Sequence, residues 1–249
     1  MEQLLAGKNA LVTGGTRGIG RAIVLTLARA GANVVTCYRS EGEAVESLAR
    51  ELKDTPGQHH LVRADVGDPE QISNLLDEVK VRLGSLDVVV NNAGVISHIG
   101  YDDLTLDDWH QVVDTNLTGT FLVIQKALPL MGAGASVVNI GSRVAKVGIP
   151  MRAHYTAAKA GLVGLTRSLC KELGRQGIRV NLVEPGVIAT EEMARLTAEQ
   201  RAAMEARYAQ LTSLGRLGHV DEVAEVVLFL ASDKSRYVSG AQIPVDGGI

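Results

Sequence analysis

The sequence predicts an α/β protein built on a parallel sheet with helices on both faces. Short apolar, β-branched runs alternate with helical stretches along the whole chain. Connections this short imply right-handed strand–helix–strand crossovers. The runs themselves, such as Leu86-Asp87-Val88-Val89-Val90 and Ser136-Val137-Val138-Asn139-Ile140, are continuous rather than alternating. Strands covered on both faces have that character. With 249 residues, 46% hydrophobic and only 3% aromatic, the chain can bury a sizeable core, and that core must be aliphatic.

Strands are expected at 9–13, 32–37, 59–64, 86–91, 135–140, 178–183 and 241–245. The first runs into a glycine-rich turn and a helix over 21–30. Ser40-Glu41-Gly42-Glu43 reads as a capping box before a helix over 44–52, with Glu41 and Glu43 as its first-turn acids. Asp68-Pro69 places a cap before a proline at the first helical position, and Thr105 to Asp108 forms a second capping box before Trp109. One region departs from the alternation. Residues 187–217 hold two polar, alanine-rich helical stretches with no strand between them, as in a lid over the sheet's carboxyl edge. No repeat or linker divides the chain, so 1–249 is expected to be a single domain.

Composition narrows the function classes. A net charge of −3 argues against a nucleic-acid or anionic-membrane footprint. The longest apolar stretches, such as 223–231, are interrupted by charge, and Met1-Glu2-Gln3 does not open a secretory signal. Cys37 and Cys170 are too few and too far apart for a disulfide framework or a metal cluster. A soluble, cytoplasmic protein is the expectation. The six histidines do not cluster: His59 and His60 alternate across a strand, and His98, His110 and His219 have no neighbour at ligand spacing. His154, beside Tyr155, reads as a helix-surface histidine before a substrate contact. No G-x-S-x-G elbow is present, nor is a P-loop, since Arg21-Ala22 stands where Lys-Ser/Thr is required.

Thr13-Gly14-Gly15-Thr16-Arg17-Gly18-Ile19-Gly20 follows the first strand and opens a helix. Glycines there let a pyrophosphate approach free N–H groups at the helix N-terminus, although such turns also exist without a ligand. The second strand ends Thr36-Cys37-Tyr38-Arg39-Ser40, with no carboxylate at its tip to hold a ribose 2′-hydroxyl. Arg39 and Arg17 together suit a 2′-phosphate, which favours NADPH over NADH. Tyr155 and Lys159 stand four apart in a helical stretch, so phenol and ammonium share a face. A tyrosine ionises near pH 10, and lowering that by about 3 units takes about 4 kcal/mol; a lysine cation and an oxidised nicotinamide are partners of the required sign.

In order along the chain come the glycine turn, Asp65-Val66, Asn91-Asn92-Ala93-Gly94, Asn116 within Thr115-Asn116-Leu117-Thr118-Gly119, Ser142, Tyr155, Lys159 and Pro185-Gly186. With this series the chain resembles the short-chain dehydrogenase/reductase family over essentially its full length. The resemblance implies a single Rossmann-like, doubly wound domain with a seven-stranded parallel sheet, commonly assembled as a homotetramer. It implies Tyr155 as general acid in ketone reduction, Ser142 as hydrogen-bond donor to the substrate carbonyl, and Lys159 as the group that lowers the tyrosine's pKa and binds the nicotinamide ribose. Asn116 would hold a water linking Lys159 to solvent. Gly14, Arg17, Gly18 and Ile19 would line the pyrophosphate and adenosine side, Asp65 and Val66 the adenine, and Asn92, Ala93 and Gly94 its ribose. Pro185, Gly186, Ile188 and Thr190 would border the nicotinamide.

Departures from the family pattern are Gly141 before Ser142, Arg143 after it, Glu184 before Pro185-Gly186, and the run Val95 to Gly100, which differs from that common in 3-oxoacyl reductases. Glu184 receives no role from the sequence. The reading is an NADP-dependent ketoreductase using NADPH/NADP+. An apolar lining from 148–155 with Ile188, Met193 and Leu196 points first to a bulky aromatic polyketide ketone. Second comes a 3-oxoacyl-[acyl-carrier-protein] reductase of fatty-acid synthesis, with Lys126, Arg167 and Lys171 as candidates for docking an acyl carrier protein. The same motifs are compatible with an NAD-dependent alcohol oxidation and with a non-catalytic dinucleotide sensor; the complete Ser–Tyr–Lys set argues against the sensor.

Overall fold

The computed structural model describes residues 3–191, 193 and 196–249. Seven strands form one parallel sheet: β1 (Asn9–Thr13), β2 (Asn33–Tyr38), β3 (His59–Arg63), β4 (Leu86–Asn91), β5 (Met131–Ile140), β6 (Arg179–Pro185) and, last in the chain, β9 (Gln242–Val245). Their spatial order is β3-β2-β1-β4-β5-β6-β9. The chain therefore winds outward from β1 in one direction and, after β3, crosses back to wind the other way from β4. That reversal leaves a crevice beyond the carboxyl ends of β1 and β4.

Period-2 alternation splits each central strand between two cores. Ala10, Val12, Val88, Val90 and Val138 pack into the layer containing α1 (Gly18–Arg29), α2 (Glu43–Leu52) and α9 (Val220–Ala231). Leu11, Val89 and Val137 pack into the layer of α3 (Pro69–Leu83) and α5 (Gly119–Ala127). Both faces are apolar, which is why these strands read as unbroken runs.

Local chemistry sets several helix starts. Asp68 accepts from the backbone N–H of Glu70 and Gln71 with Pro69 behind it, and Thr105 accepts from Asp108 N at the head of α4 (Leu106–Val113). Three expectations need correction. Helix α1 begins at Gly18 rather than Arg21, because its first turn is part of the glycine turn itself. Ser40 does not cap α2; the N-cap is Gly42 with φ +144°, a conformation open to glycine, and Glu41 instead accepts from the Tyr38 hydroxyl at 2.8 Å. Residues 187–217 contain one α-helix among those described, α8 (Ala198–Leu211), and begin with β7 (Ile188–Ala189), which pairs with β8 (Gly218–His219). Positions 192, 194 and 195 of that segment lie outside the described residues.

One feature had no sequence signal. Between α4 and α5 the helix does not stop but widens into a π turn over Asp114–Thr118, which contains Asn116. Such bulges displace one residue from the helical register and are frequent at functional sites.

Leu75 of α3 is fully buried against the sheet. Replacing it with alanine should cost about 3 kcal/mol, read as a lowered urea-denaturation midpoint with an unchanged slope.

Candidate active site

The end of β1 and the end of β4 are fastened to each other. Asn92 Nδ2 donates to the carbonyls of Thr13 and Gly14, both at 3.0 Å, while the amides of Asn92 and Ala93 donate to Thr13 Oγ1. Space at this crossing excludes side chains. A Cβ on Gly14, whose φ is +68°, would lie 2.9 Å from Ala93 Cα, and one on Gly20 would lie 2.2 Å from Gly14 O. The glycines are thus required by packing between the turn and β4, whatever else they do.

Beyond this crossing lies a cavity of about 520 Å³, lined by Gly14, Arg17, Gly18, Ile19, Arg39, Asp65, Val66, Asn92, Ala93, Gly94 and Thr190. It adjoins a second of about 370 Å³, lined by Asn116, Ser142, Tyr155, Lys159, Pro185, Gly186 and Ile188. Ile19, Asn92, Gly94 and Thr190 border both. The residues expected to bind the cofactor and carry the catalysis therefore line two adjoining cavities, whereas residues 148–154, Met193 and Leu196, expected to line the substrate site, line neither. Arg17 and Arg39 also share a recess of about 180 Å³ with Ser40 and Gly42. Neither arginine has an ion-pair partner among the described residues.

The side chains that could do chemistry are held by three elements. Tyr155 and Lys159 lie within the first two turns of α7 (Ala153–Leu173), on one face. Lys159 Nζ is buried, donates to Ile140 O at 2.8 Å and lies 5.7 Å from the Tyr155 ring centre. Burial pushes its pKa down to about 8. Asn116, projected by the π turn, is fully buried; its Nδ2 donates to Val95 O and Val112 O. Its Oδ1 is a buried acceptor without a protein donor among the described residues, close to Gly94. Ser142 follows β5, and its Oγ accepts from Val144 N at 3.2 Å.

The phenol of Tyr155 departs from expectation. Its pKa is raised, because burial disfavours the phenolate more than the Ser142 hydroxyl and the Arg152 charge favour it. A protonated phenol is nonetheless what an acid must be before it donates.

Several contacts at and beside the crevice have no signal in the sequence. Glu191 Oε1 accepts from Gly18 N at 2.8 Å, so a carboxylate from the segment after β7 sits on the glycine turn. His154 is not a surface histidine: it is fully buried, with Nε2 2.6 Å from Ser97 Oγ, and burial lowers its pKa. His98 accepts from Arg152 Nε at 3.0 Å, and Ile99 N donates to Met151 O at 2.9 Å. These three contacts tie the 95–99 run to the start of α7. The hydrogen-bond partner of His154 lies 57 positions away, and no local pattern announces it.

A family model described as enoyl-(acyl carrier protein) reductase matches residues 14–249. Fold and site define an oxidoreductase, and the chain belongs to the short-chain dehydrogenase/reductase family. Among curated relatives, the 3-oxoacyl-[acyl-carrier-protein] reductase of Staphylococcus aureus is 40% identical over 97% of this chain and 98% of its own. That of Thermotoga maritima is 39% identical over 98% of each. Among solved structures, a blue fluorescent protein from a metagenomic library in complex with NADPH superposes with a TM-score of 0.90 at 37% identity, covering 98% of both chains. A short-chain dehydrogenase from Burkholderia cenocepacia in complex with NADP gives 0.91 at 34%, again over 98% of both. Among the described residues no group of His, Cys, Asp and Glu could hold a metal ion, and no helix is long and apolar enough to cross a membrane.

Because burial places the Lys159 pKa near 8, below its ordinary value, its ammonium is lost as pH rises through that point. If the charge serves the reaction, kcat/KM for ketone reduction falls above about pH 8. A flat profile to pH 10 would separate Lys159 from the rate.

Proposed function

We infer that the protein is an NADPH-dependent ketoreductase, and that its substrate is a 3-oxoacyl thioester reduced to the 3-hydroxy product. The observation that carries the reaction class is the convergence of Ser142, Tyr155, Lys159 and Asn116 on one cavity that continues into the glycine-lined crevice. The crevice fits a dinucleotide phosphate. Its glycine turn admits no side chain at Gly14 or Gly20, the N-cap residue of α1, Arg17, makes no cap hydrogen bond of its own, and Arg17 and Arg39, without ion-pair partners among the described residues, share the recess past the end of β2.

Gly14, Gly18 and Ile19 would hold the pyrophosphate at the α1 N-terminus. Arg17 and Arg39 would fork onto the 2′-phosphate. Asp65 and Val66 would meet the adenine, and Asn92, Ala93 and Gly94 its ribose. Pro185, Gly186, Ile188 and Thr190 would border the nicotinamide. NADPH, when bound, supplies the hydride. Residues 187–217 would act as the lid, and Glu191, which accepts from Gly18 N–H, would have to release it for that N–H to serve a pyrophosphate.

The chain's own groups supply the rest. Ser142 donates a hydrogen bond to the substrate carbonyl oxygen, where negative charge develops. Tyr155 gives its proton to the same oxygen. Lys159 would bind the nicotinamide ribose and stabilise the resulting phenolate, and Asn116 Oδ1, a buried acceptor, would position a water through which the proton is resupplied.

The thioester reading rests on the relatives named as 3-oxoacyl-[acyl-carrier-protein] reductases. An acyl carrier protein would then be the partner; Arg167 and Lys171 are exposed and Lys126 half-buried. A bulky aromatic polyketide ketone is the second reading, favoured by the exposed apolar side chains of Val147, Ile149 and Met151 ahead of α7. A cytoplasmic homotetramer is the expected setting, and exposed Phe121, Phe229 and Tyr237 offer apolar surface for assembly.

Two substitutions test this reading by NADPH oxidation at 340 nm. Tyr155→Phe should lower kcat at least about a hundredfold while NADPH binding holds within a few-fold. Arg39→Ala should weaken NADPH about ten- to a hundredfold and leave NADH nearly unchanged. Equal effects on the two cofactors would overturn the phosphate assignment, and 3-oxoacyl thioesters run beside polycyclic ketones decide the substrate class.

A further inference from the structure

Glu184 is the one carboxylate among the fully buried side chains described, with no exposed surface at all. It lies on β6 immediately before Pro185-Gly186. Its Oε2 is 2.6 Å from Lys146 Nζ, whose side chain is 40% exposed. No other cation pairs with it among the described residues, and neither carboxylate oxygen has a well-directed hydrogen-bond donor. A buried carboxylate left without its cation is strongly unfavourable, so this contact compels Lys146 to stay where it is.

Lys146 belongs to α6 (Val144–Val147), a four-residue helix that begins two residues after Ser142. A single turn has no stability of its own, so its position must be imposed from outside. Two further tethers act in the same direction. Arg143 N donates to Pro185 O at 3.0 Å, and Arg143 Nε lies 3.4 Å from Asp246 Oδ2. Ser142 Oγ is in turn bonded to Val144 N, the first residue of that turn.

We propose that Glu184 and Lys146 are a positioning pair for ketone reduction: their ion pair holds α6 against β6 and so sets the Ser142 hydroxyl relative to the strand end at Pro185-Gly186. The proposal rests on the role given above to Ser142. Neither residue touches the reacting atoms; both act through the placement of one hydroxyl. A displacement of about 1 Å at such a group can cost about a hundredfold in rate.

The test is a kinetic cycle in the full-length protein with NADPH and a 3-oxoacyl thioester. Lys146→Met and Glu184→Gln should each lower kcat about ten- to a hundredfold, with KM for NADPH within about twofold of the parent. Lys146→Arg, which keeps the charge, should retain most of the activity. In a Ser142→Ala background, Lys146→Met should cause no further loss, because the hydroxyl it places is already gone. Glu184→Gln leaves no unpaired buried charge behind, so it keeps the test valid should Lys146→Met fail to fold. Wild-type kcat in Lys146→Met, or the same loss with and without the Ser142 hydroxyl, would overturn the positioning role while leaving the reductase reading intact. A Ser142→Ala loss below about twofold would overturn both.

Discussion

Everything at the crevice depends on how closely the turn after β1 approaches the end of β4. Asn92 bridges the carbonyls of Thr13 and Gly14, and Thr13 Oγ1 receives two amides from the opposite strand. This crossing sits where the sheet order reverses, between strands whose connections leave to opposite sides. A side chain at Gly14 or Gly20 would force the two apart. Because the crossing is tight, the N-terminus of α1 points into the crevice, and Gly94 is delivered beside Asn116 and Lys159.

From there a buried polar chain runs across the sheet. Asn91 Nδ2 donates to Asn139 Oδ1, and Asn139 Nδ2 to Thr166 Oγ1, linking β4 and β5 to α7. Lys159 adds a bond to Ile140 O on the same strand. Helix α7 is therefore fixed in rotation as well as position, which is what sets Tyr155 beside Ser142. Such networks specify geometry because any unpaired member in a low-dielectric interior is costly. The same logic governs the edge of the site, where a buried glutamate holds a helical turn too short to place itself.

Burial also sets the electrostatics. Desolvation pulls the Lys159 ammonium towards neutrality and pushes the Tyr155 phenol away from ionisation. Both shifts favour neutral forms, the reverse of the expectation that a lysine four residues away governs the tyrosine. In the chain by itself, removal from water outweighs the charge of a neighbour.

By itself the sequence determined the layered α/β architecture, since strands apolar on both faces and capped helices between them leave few other arrangements. It also marked many of the residues that line the crevice, because the glycine turn, Asn92–Gly94, Ser142, Tyr155 and Lys159 carry recognisable types at recognisable places in that alternation. Tertiary structure alone decided the π turn that projects Asn116, the glycine cap of α2, the burial of His154 and the partner of Glu184. Each depends on contacts between residues far apart in the chain or on backbone geometry without a residue code. Glu184 is the clearest instance: a carboxylate in a strand looks like an interruption until a lysine 38 positions earlier folds over it.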